Sequence, residues 1–422
     1  MAKYTLIKCG KLFDGLKEEL QENKQILIEG NTIKEVGENL AFPEGTEIID
    51  LSHLTVTPGM IDAHVHSDLM TTGAKTGTIN NASFESDSYH TLAHLHTAQR
   101  ELKRGFTSIR CMSLNNHDYG VVDAKKAIEA GYFPGARMVV ACHMLGSIGG
   151  HADYSTMFGM RGNPALSASY VNPTCVGAGP DFFRAAVQNE CKFGSDYIKI
   201  MLSGGFFTPN DAPEDQQLND DELRAIIDTA HGCHRTVTAH VYAPYLLNKL
   251  LDFGLDGCEH AALIDEPTAR RFEQSSAYVV PTFVPYNEII WMDEAKLKLK
   301  GPAMERKLRQ YQKQLTESRE IIVNSNMKLG YGTDIVSVYE CYDSWVEYES
   351  WMKAGMSPFR TLKAATSVNA EILEIDSYTG SIVPGKRADI AAWHRDLLTD
   401  PKALKECDFV MKDGIVYQPE YA

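Results

Sequence analysis

A chain of 422 residues is too long for one small domain and long enough for one large barrel with an accessory module. Its formal net charge of −15 offers no basic face for a phosphate backbone, which excludes nucleic acid as a partner. The opening Met1–Ile7 lacks the apolar core and cleavage site of a signal peptide, and no apolar run is long enough to cross a bilayer; a cytoplasmic protein with no membrane partner is expected.

In chain order, alternating strands are expected at 4–9, 25–36 and 47–51, with Gly30-Asn31 marking a hairpin turn. From residue 57 to about residue 370, strands and helices then alternate. Buried strands are predicted at 57–66, 107–112, 137–145, 196–202, 236–241, 256–260, 277–284 and 327–334. Helical patterns lie between them, at 88–104, 220–230 with acidic residues in its first turn, 244–253 and 294–326. Short strands return at 389–393, 409–412 and 414–417 around a turn at Asp413-Gly414.

Eight near-continuous apolar strands separated by amphipathic helices predict an α/β chain, a (β/α)8 TIM-like barrel, because parallel strands buried on both faces lose polar alternation. The barrel is expected over residues 57–375, with a small β-sandwich module formed by both termini, residues 1–56 and 376–422. A doubly wound open sheet is the alternative, but no G-x-G-x-x-G or Walker-type loop follows the first strand. The Gly-, Pro- and Tyr-bearing stretch 146–179 suits a lid over a site.

Catalytic groups of such a barrel stand at the carboxyl ends of its strands. The first strand ends in His64-Val65-His66, which projects two imidazoles to one face. Lys199 interrupts the apolar fourth strand, where a charged ammonium is costly unless paired or chemically altered. His240 closes the fifth strand, His260 the sixth, and Asp334 follows the glycine-rich end of the eighth. Each has a plainer alternative: a snorkelling or ion-paired lysine, core histidines, an aspartate capping the next helix. Their joint placement at one end of five strands favours a metal site. Arg110, ending the second strand, can pair with a substrate carboxylate or hold a structural ion pair. The nine cysteines are scattered and never spaced C-x-x-C, so they read as buried thiols. His90, His94 and His96 form a rival metal set, but lack the glutamate of H-E-x-x-H and read better as one face of the first barrel helix.

Pro58-Gly59-Met60-Ile61-Asp62-Ala63-His64-Val65-His66, Lys199, His240, His260 and Gly332-Thr333-Asp334 together resemble the amidohydrolase superfamily. Within it the chain is most similar to metal-dependent Xaa-Pro and Xaa-Arg/Lys dipeptidases and carboxypeptidases, near imidazolonepropionase and ochratoxin-hydrolysing amidases. The likeness extends to Gly385-Lys386-Arg387-Ala388-Asp389 and Val410-Met411-Lys412-Asp413-Gly414.

The resemblance implies two divalent metal ions, expected to be zinc. His64, His66 and Asp334 would hold the more buried ion, His240 and His260 the more exposed one, and Lys199 would bridge both as its CO2-derived carbamate. It also implies attack by a metal-bridging hydroxide, with Asp334 as catalytic base and proton carrier to the leaving nitrogen. His240-Val241-Tyr242 and Gly149-Gly150-His151 match dipeptidase patterns, making Tyr242 and His151 candidates for binding substrate; Ile148 departs from the Thr-Gly-Gly-His form of the latter.

The expected function is hydrolysis of a peptide-like amide in a small molecule, an Xaa-Pro or other dipeptide or an N-acyl amino acid, by a homo-oligomer. A deaminase or cyclic-amide hydrolase of the same superfamily is the alternative; those deaminases generally use one metal without a bridging lysine, so Lys199 opposes that branch. A non-catalytic scaffold is opposed by the presence of all six ligand positions.

Overall fold

The structure, a computed structural model, describes residues 3–68, 86–113, 118–153, 174–206, 211–334 and 344–418. The amino-terminal strands are β1 (Tyr4–Leu12), β2 (Gln21–Glu22), β3 (Gln25–Glu29), β4 (Thr32–Gly37) and β5 (Glu47–Pro58). Those that follow are β6 (Met60–Val65), β7 (Phe106–Met112), β8 (Arg137–Ala141), β9 (Met144–Ser147), β10 (Val176–Gly177) and β11 (Ile198–Met201). Next come β12 (Val237–Val241), β13 (Gly257–His260), β14 (Tyr278–Val280) and β15 (Lys328–Leu329). The carboxyl-terminal strands are β16 (Ile390–Trp393), β17 (Phe409–Lys412) and β18 (Ile415–Gln418).

The fold is α/β with parallel sheets: β6-β7-β8 form one, and β10-β9-β11-β12-β13-β14-β15 another. Every residue of β6, β7, β8, β11, β12, β13 and β14 is buried, as strands covered on both faces require. Beyond β15 the chain reaches back to the first sheet, where Ala63 N donates to Tyr331 O at 2.8 Å and Asp334 N to His64 O at 2.9 Å. Gly332 makes this approach possible, since a Cβ there would lie 2.8 Å from His64 Cβ and 3.0 Å from its backbone nitrogen.

Four expected elements differ. The strand 327–334 is shortened to Lys328–Leu329. The strand 137–145 divides at Cys142-His143: Cys142 N donates to Ser195 Oγ at 2.9 Å and His143 N to Glu190 at 3.1 Å, so side chains take the donors that a strand ladder would use. The strand 277–284 ends at Val280. Thr282 turns the chain at φ 46°, and the carboxylate of Glu347 accepts from Phe283 N and Val284 N, the first donors of the helix Phe283–Ile290. The helix 294–326 is two, Glu294–Leu299 and Pro302–Asn324, separated at Gly301-Pro302, where proline occupies the first helical turn of the second.

Strands of both termini share one eight-stranded mixed sheet, ordered β18-β17-β16-β5-β1-β3-β4 with β2 on β1, where a β-sandwich was expected. The turn at Asp413 and Gly414 has φ 50° and 74°, the left-handed pair that closes a tight hairpin between β17 and β18. Only Gly59 separates β5 from β6, so the chain passes directly from this sheet into the parallel strands. Arg137 at the start of β8 bonds Asp389 at 2.8 Å and Asp413 at 3.0 Å, tying the carboxyl-terminal segment to them. Among the described residues no helix is long and apolar enough to cross a membrane. The central part of the expected lid, 154–173, lies outside the described residues.

Candidate metal centre

Residues paired in register share a face of a parallel sheet. Lys199 pairs with Thr238, Thr238 with Gly257, Met201 with His240, and His240 with Glu259, so Lys199, Thr238, His240 and Glu259 all point to one side. Regular alternation would then send His260 to the opposite side. Instead His260 and Ala261 adopt φ of 76° and 51°, and the reversal returns the imidazole to the side occupied by His240. Asp334, at φ 43°, takes a similar left-handed turn in the segment that follows β15.

These residues converge on one cluster. His64 Nε2 lies 3.3 Å from His66 Nε2 and 3.3 Å from Asp334 Oδ1, and His66 Nε2 is 3.1 Å from the same oxygen. His240 Nδ1 lies 2.9 Å from His260 Nε2, and Asp334 Oδ2 is 3.7 Å from His260 Nδ1. Donors bound about 2.0–2.1 Å from a zinc ion stand roughly 2.8–3.4 Å apart, the spacing seen within His64, His66 and Asp334 and between His240 and His260; His64, His260 and Asp334 also offer ligand atoms that all lie within 4.8 Å of one another, a group that could hold a metal ion. Two facing imidazole nitrogens also share at most one proton, which leaves a lone pair in each set.

The electrostatics favour neutral rings at His240 and His260, the charged ring at His64 and an anionic Asp334. Burial, reinforced for His240 by its neighbour His260, holds the His240 and His260 rings well below the ordinary histidine range. Burial disfavours the charged form of His64 too, but Asp334 and Glu259 outweigh it and raise its pKa. For Asp334 burial pushes upward, yet His64, His66 and His260 bring its pKa well below the carboxylate range. Lys199 is 1% exposed; burial lowers it to about 8 against the pull of Glu259 and Asp334.

The substrate candidates divide. His151 stacks on His240 with centroids 4.6 Å apart and is held by Asp211 Oδ2 at 3.2 Å from its Nδ1; Gly205 leaves room for the ring, since a Cβ there would lie 2.3 Å from it. Tyr242 is buried against His260 at 5.3 Å, and its hydroxyl accepts from Tyr286 at 3.2 Å. Arg110 is 1% exposed and lies inside the fold, bonded to Glu259, Tyr278 and Ala63, so its geometry is that of the ion-pair alternative. His94 of the rival set bonds Ser67 Oγ at 2.6 Å within the packed helix Asp87–Lys103.

Three neighbours of the cluster were not singled out from the sequence. Glu259 bonds His64 Nδ1 at 2.8 Å, Thr282 Oγ1 bonds His260 Nδ1 at 2.7 Å, and Asp62 accepts from His64 N and from Thr333. Glu259 and Asp62 carry the same signal as Lys199, a charge inside an apolar strand.

Histidines and a carboxylate gathered at the carboxyl ends of parallel strands define a metal-dependent hydrolase site. The chain belongs to the amidohydrolase family, whose model matches residues 55–418, and is a hydrolase of C–N bonds. It is similar to ochratoxinase of Aspergillus niger, 26% identical over 423 residues that cover 96% of this chain and 84% of that one. Among solved structures it is similar to a Xaa-Pro dipeptidase with methionine bound in its active site, at TM-score 0.86 and 26% identity over 98% of this chain and 100% of the other. It is also similar to a prolidase complexed with N-methylphosphonate-L-proline, at TM-score 0.81 and 28% identity over 98% and 99% of the two chains.

Proposed function

We propose that this chain hydrolyses the amide bond of a small peptide-like substrate, an Xaa-Pro dipeptide or an N-acyl amino acid, using two divalent cations, zinc foremost. The observation that carries the reading is the pair of donor sets, His64–His66–Asp334 and His240–His260, with nearest atoms 2.9–3.3 Å apart. The likeness to a Xaa-Pro dipeptidase, a prolidase and ochratoxinase supports the substrate class. In the same reading the two parallel sheets are one closed (β/α)8 barrel over residues 57–375, with both termini building the β module beside it.

When bound, the cations would lower the pKa of a water and polarise the scissile carbonyl. Asp334 is the catalytic base: its carboxylate, at the centre of the cluster, takes the proton of the attacking water and passes it to the leaving nitrogen. Lys199, lowered to about 8 by burial, has a larger share of free amine near neutral pH than an ordinary lysine, the form that adds CO2, and the carbamate would supply anionic oxygen ligands. In this reading His151, whose Nδ1 faces Asp211, and Tyr242, whose ring stacks on His260, hold substrate oxygens.

Metal analysis of the purified protein, combined with a screen of dipeptides and N-acyl amino acids, tests this. About two ions per chain and turnover that a chelator removes and zinc restores are expected. One ion with ammonia release would favour the deaminase alternative, and absence of both metal and turnover would leave a scaffold.

A further inference from the structure

Glu259 lies fully buried on β13, in register with His240 and 195 residues along the chain from His64. Its Oε2 meets His64 Nδ1 at 2.8 Å. Its Oε1 accepts two further bonds, from Arg110 Nη2 and from Thr238 Oγ1, both at 2.6 Å. Arg110 is anchored in turn: Nε donates to Ala63 O, the carbonyl preceding His64, and Nη1 to the Tyr278 hydroxyl, each at 2.6 Å. Its guanidinium also lies 5.2 Å and 5.3 Å from the ring centroids of Tyr197 and Tyr278.

Burying an arginine and a glutamate together carries a desolvation cost that an apolar pair avoids, so such a pair is weak evidence of stabilisation by itself. Here one oxygen of the pair is directed at an imidazole of the metal cluster. An ionised carboxylate only accepts hydrogen bonds, so Nδ1 of His64 carries a proton, and in the neutral ring Nε2 then keeps its lone pair, facing His66 and Asp334. With Oε1 engaged by two donors, the carboxylate cannot rotate away.

We infer that Glu259 is a positioning residue that sets the tautomer and orientation of His64, and that Arg110 acts through Glu259 rather than on substrate. This rests on the reading of His64 as a metal ligand.

Glu259→Gln is the discriminating variant. The Arg110 guanidinium can only donate, so the amide oxygen stays with it and the NH2 turns to His64 Nδ1. That nitrogen must then accept, and the ring proton moves to Nε2, on the ligand face. Zinc affinity, measured by competition against a chelator, is expected to fall about tenfold to a hundredfold while the circular dichroism spectrum is kept. Nitrogen-15 spectra of the metal-free proteins at alkaline pH should show His64 protonated on Nδ1 in the wild type and on Nε2 in E259Q. Unchanged zinc affinity in a folded E259Q, or a wild-type His64 protonated on Nε2, would overturn the inference; the wild-type spectrum decides even if the variant does not fold. A wild-type chain that binds no zinc, with His64 still protonated on Nδ1, would instead count against the metal reading and leave the hold of Glu259 on His64 standing.

Discussion

Asp334 is asked to do two things at once, and a single oxygen-for-nitrogen exchange separates them. In Asp334→Asn the amide oxygen can still face His64 and His66, but the side chain no longer accepts a proton. Metal content is expected to stay near that of the wild type, while kcat on a hydrolysed dipeptide falls by roughly 10²–10⁴. Equal kcat would remove Asp334 as the base. Lys199 separates differently, because alanine removes a ligand and not a proton carrier. Lys199→Ala should lose both activity and firm metal binding, with partial recovery on adding a short-chain carboxylic acid whose oxygens replace those of the carbamate. Wild-type turnover without the acid would reject the bridge.

Elements hold these residues in place, and two contacts between elements can be tested. A Cβ on Gly332 would stand 2.5 Å from Val280 Cγ1 and 3.0 Å from His64 N, and the backbone atom cannot yield as a side chain can. Gly332→Ala should therefore push the segment after β15 off β6 and weaken the bond from Asp334 N to His64 O. A loss of at least about 1–3 kcal/mol in urea unfolding, with weaker zinc binding, is expected. The second contact is Glu101 on the helix Asp87–Lys103, whose Oε2 accepts from Ser344 at 2.7 Å while its buried Oε1 has no hydrogen-bond partner among the described residues. Burial, with Asp62 nearby, pushes its pKa from an ordinary 4.5 up to about 8. Between those pH values the folded chain holds a proton that the unfolded chain has lost. This contribution to stability is thus full below pH 4.5 and is lost as pH rises to about 8. Glu101→Gln should flatten that slope; urea midpoints that run parallel for the two proteins from pH 5 to 9 would contradict it.

At the scale of the whole molecule, the ion pair of Arg137 with Asp389 joins β8 to the carboxyl-terminal segment, and both side chains are buried. Asp389→Ala would leave the guanidinium with Asp413 and Ser108 Oγ, each at 3.0 Å, and the face of Tyr378 to offset its burial. Thermal and urea unfolding should show a loss of about 3–5 kcal/mol, and a change within about 0.5 kcal/mol would mean that the joint is not held there. Much of this architecture was legible in the chain itself. The spacing of His64 and His66, the apolar runs carrying Lys199 and His240, and the acidic start of the helix Asp220–Gly232 with its Asn219–Glu222 capping box are set by local backbone periods of 2 and 3.6 residues. The carboxyl-end placement of the ligands follows from those periods. The break at Cys142-His143, the return of His260 by a left-handed turn and the grip of Glu259 on His64 do not. Each depends on partners distant in the chain, such as Glu190 for His143, 47 residues away, and Glu259 for Arg110, 149 residues away. Sequence by itself determined which side chains could form a metal-dependent hydrolase and at which end of the strands they stand, because periodicity is a property of the local backbone. Only the tertiary structure decided which of them meet and which carboxylate His64 Nδ1 faces, because those depend on contacts that exist only once distant strands are side by side.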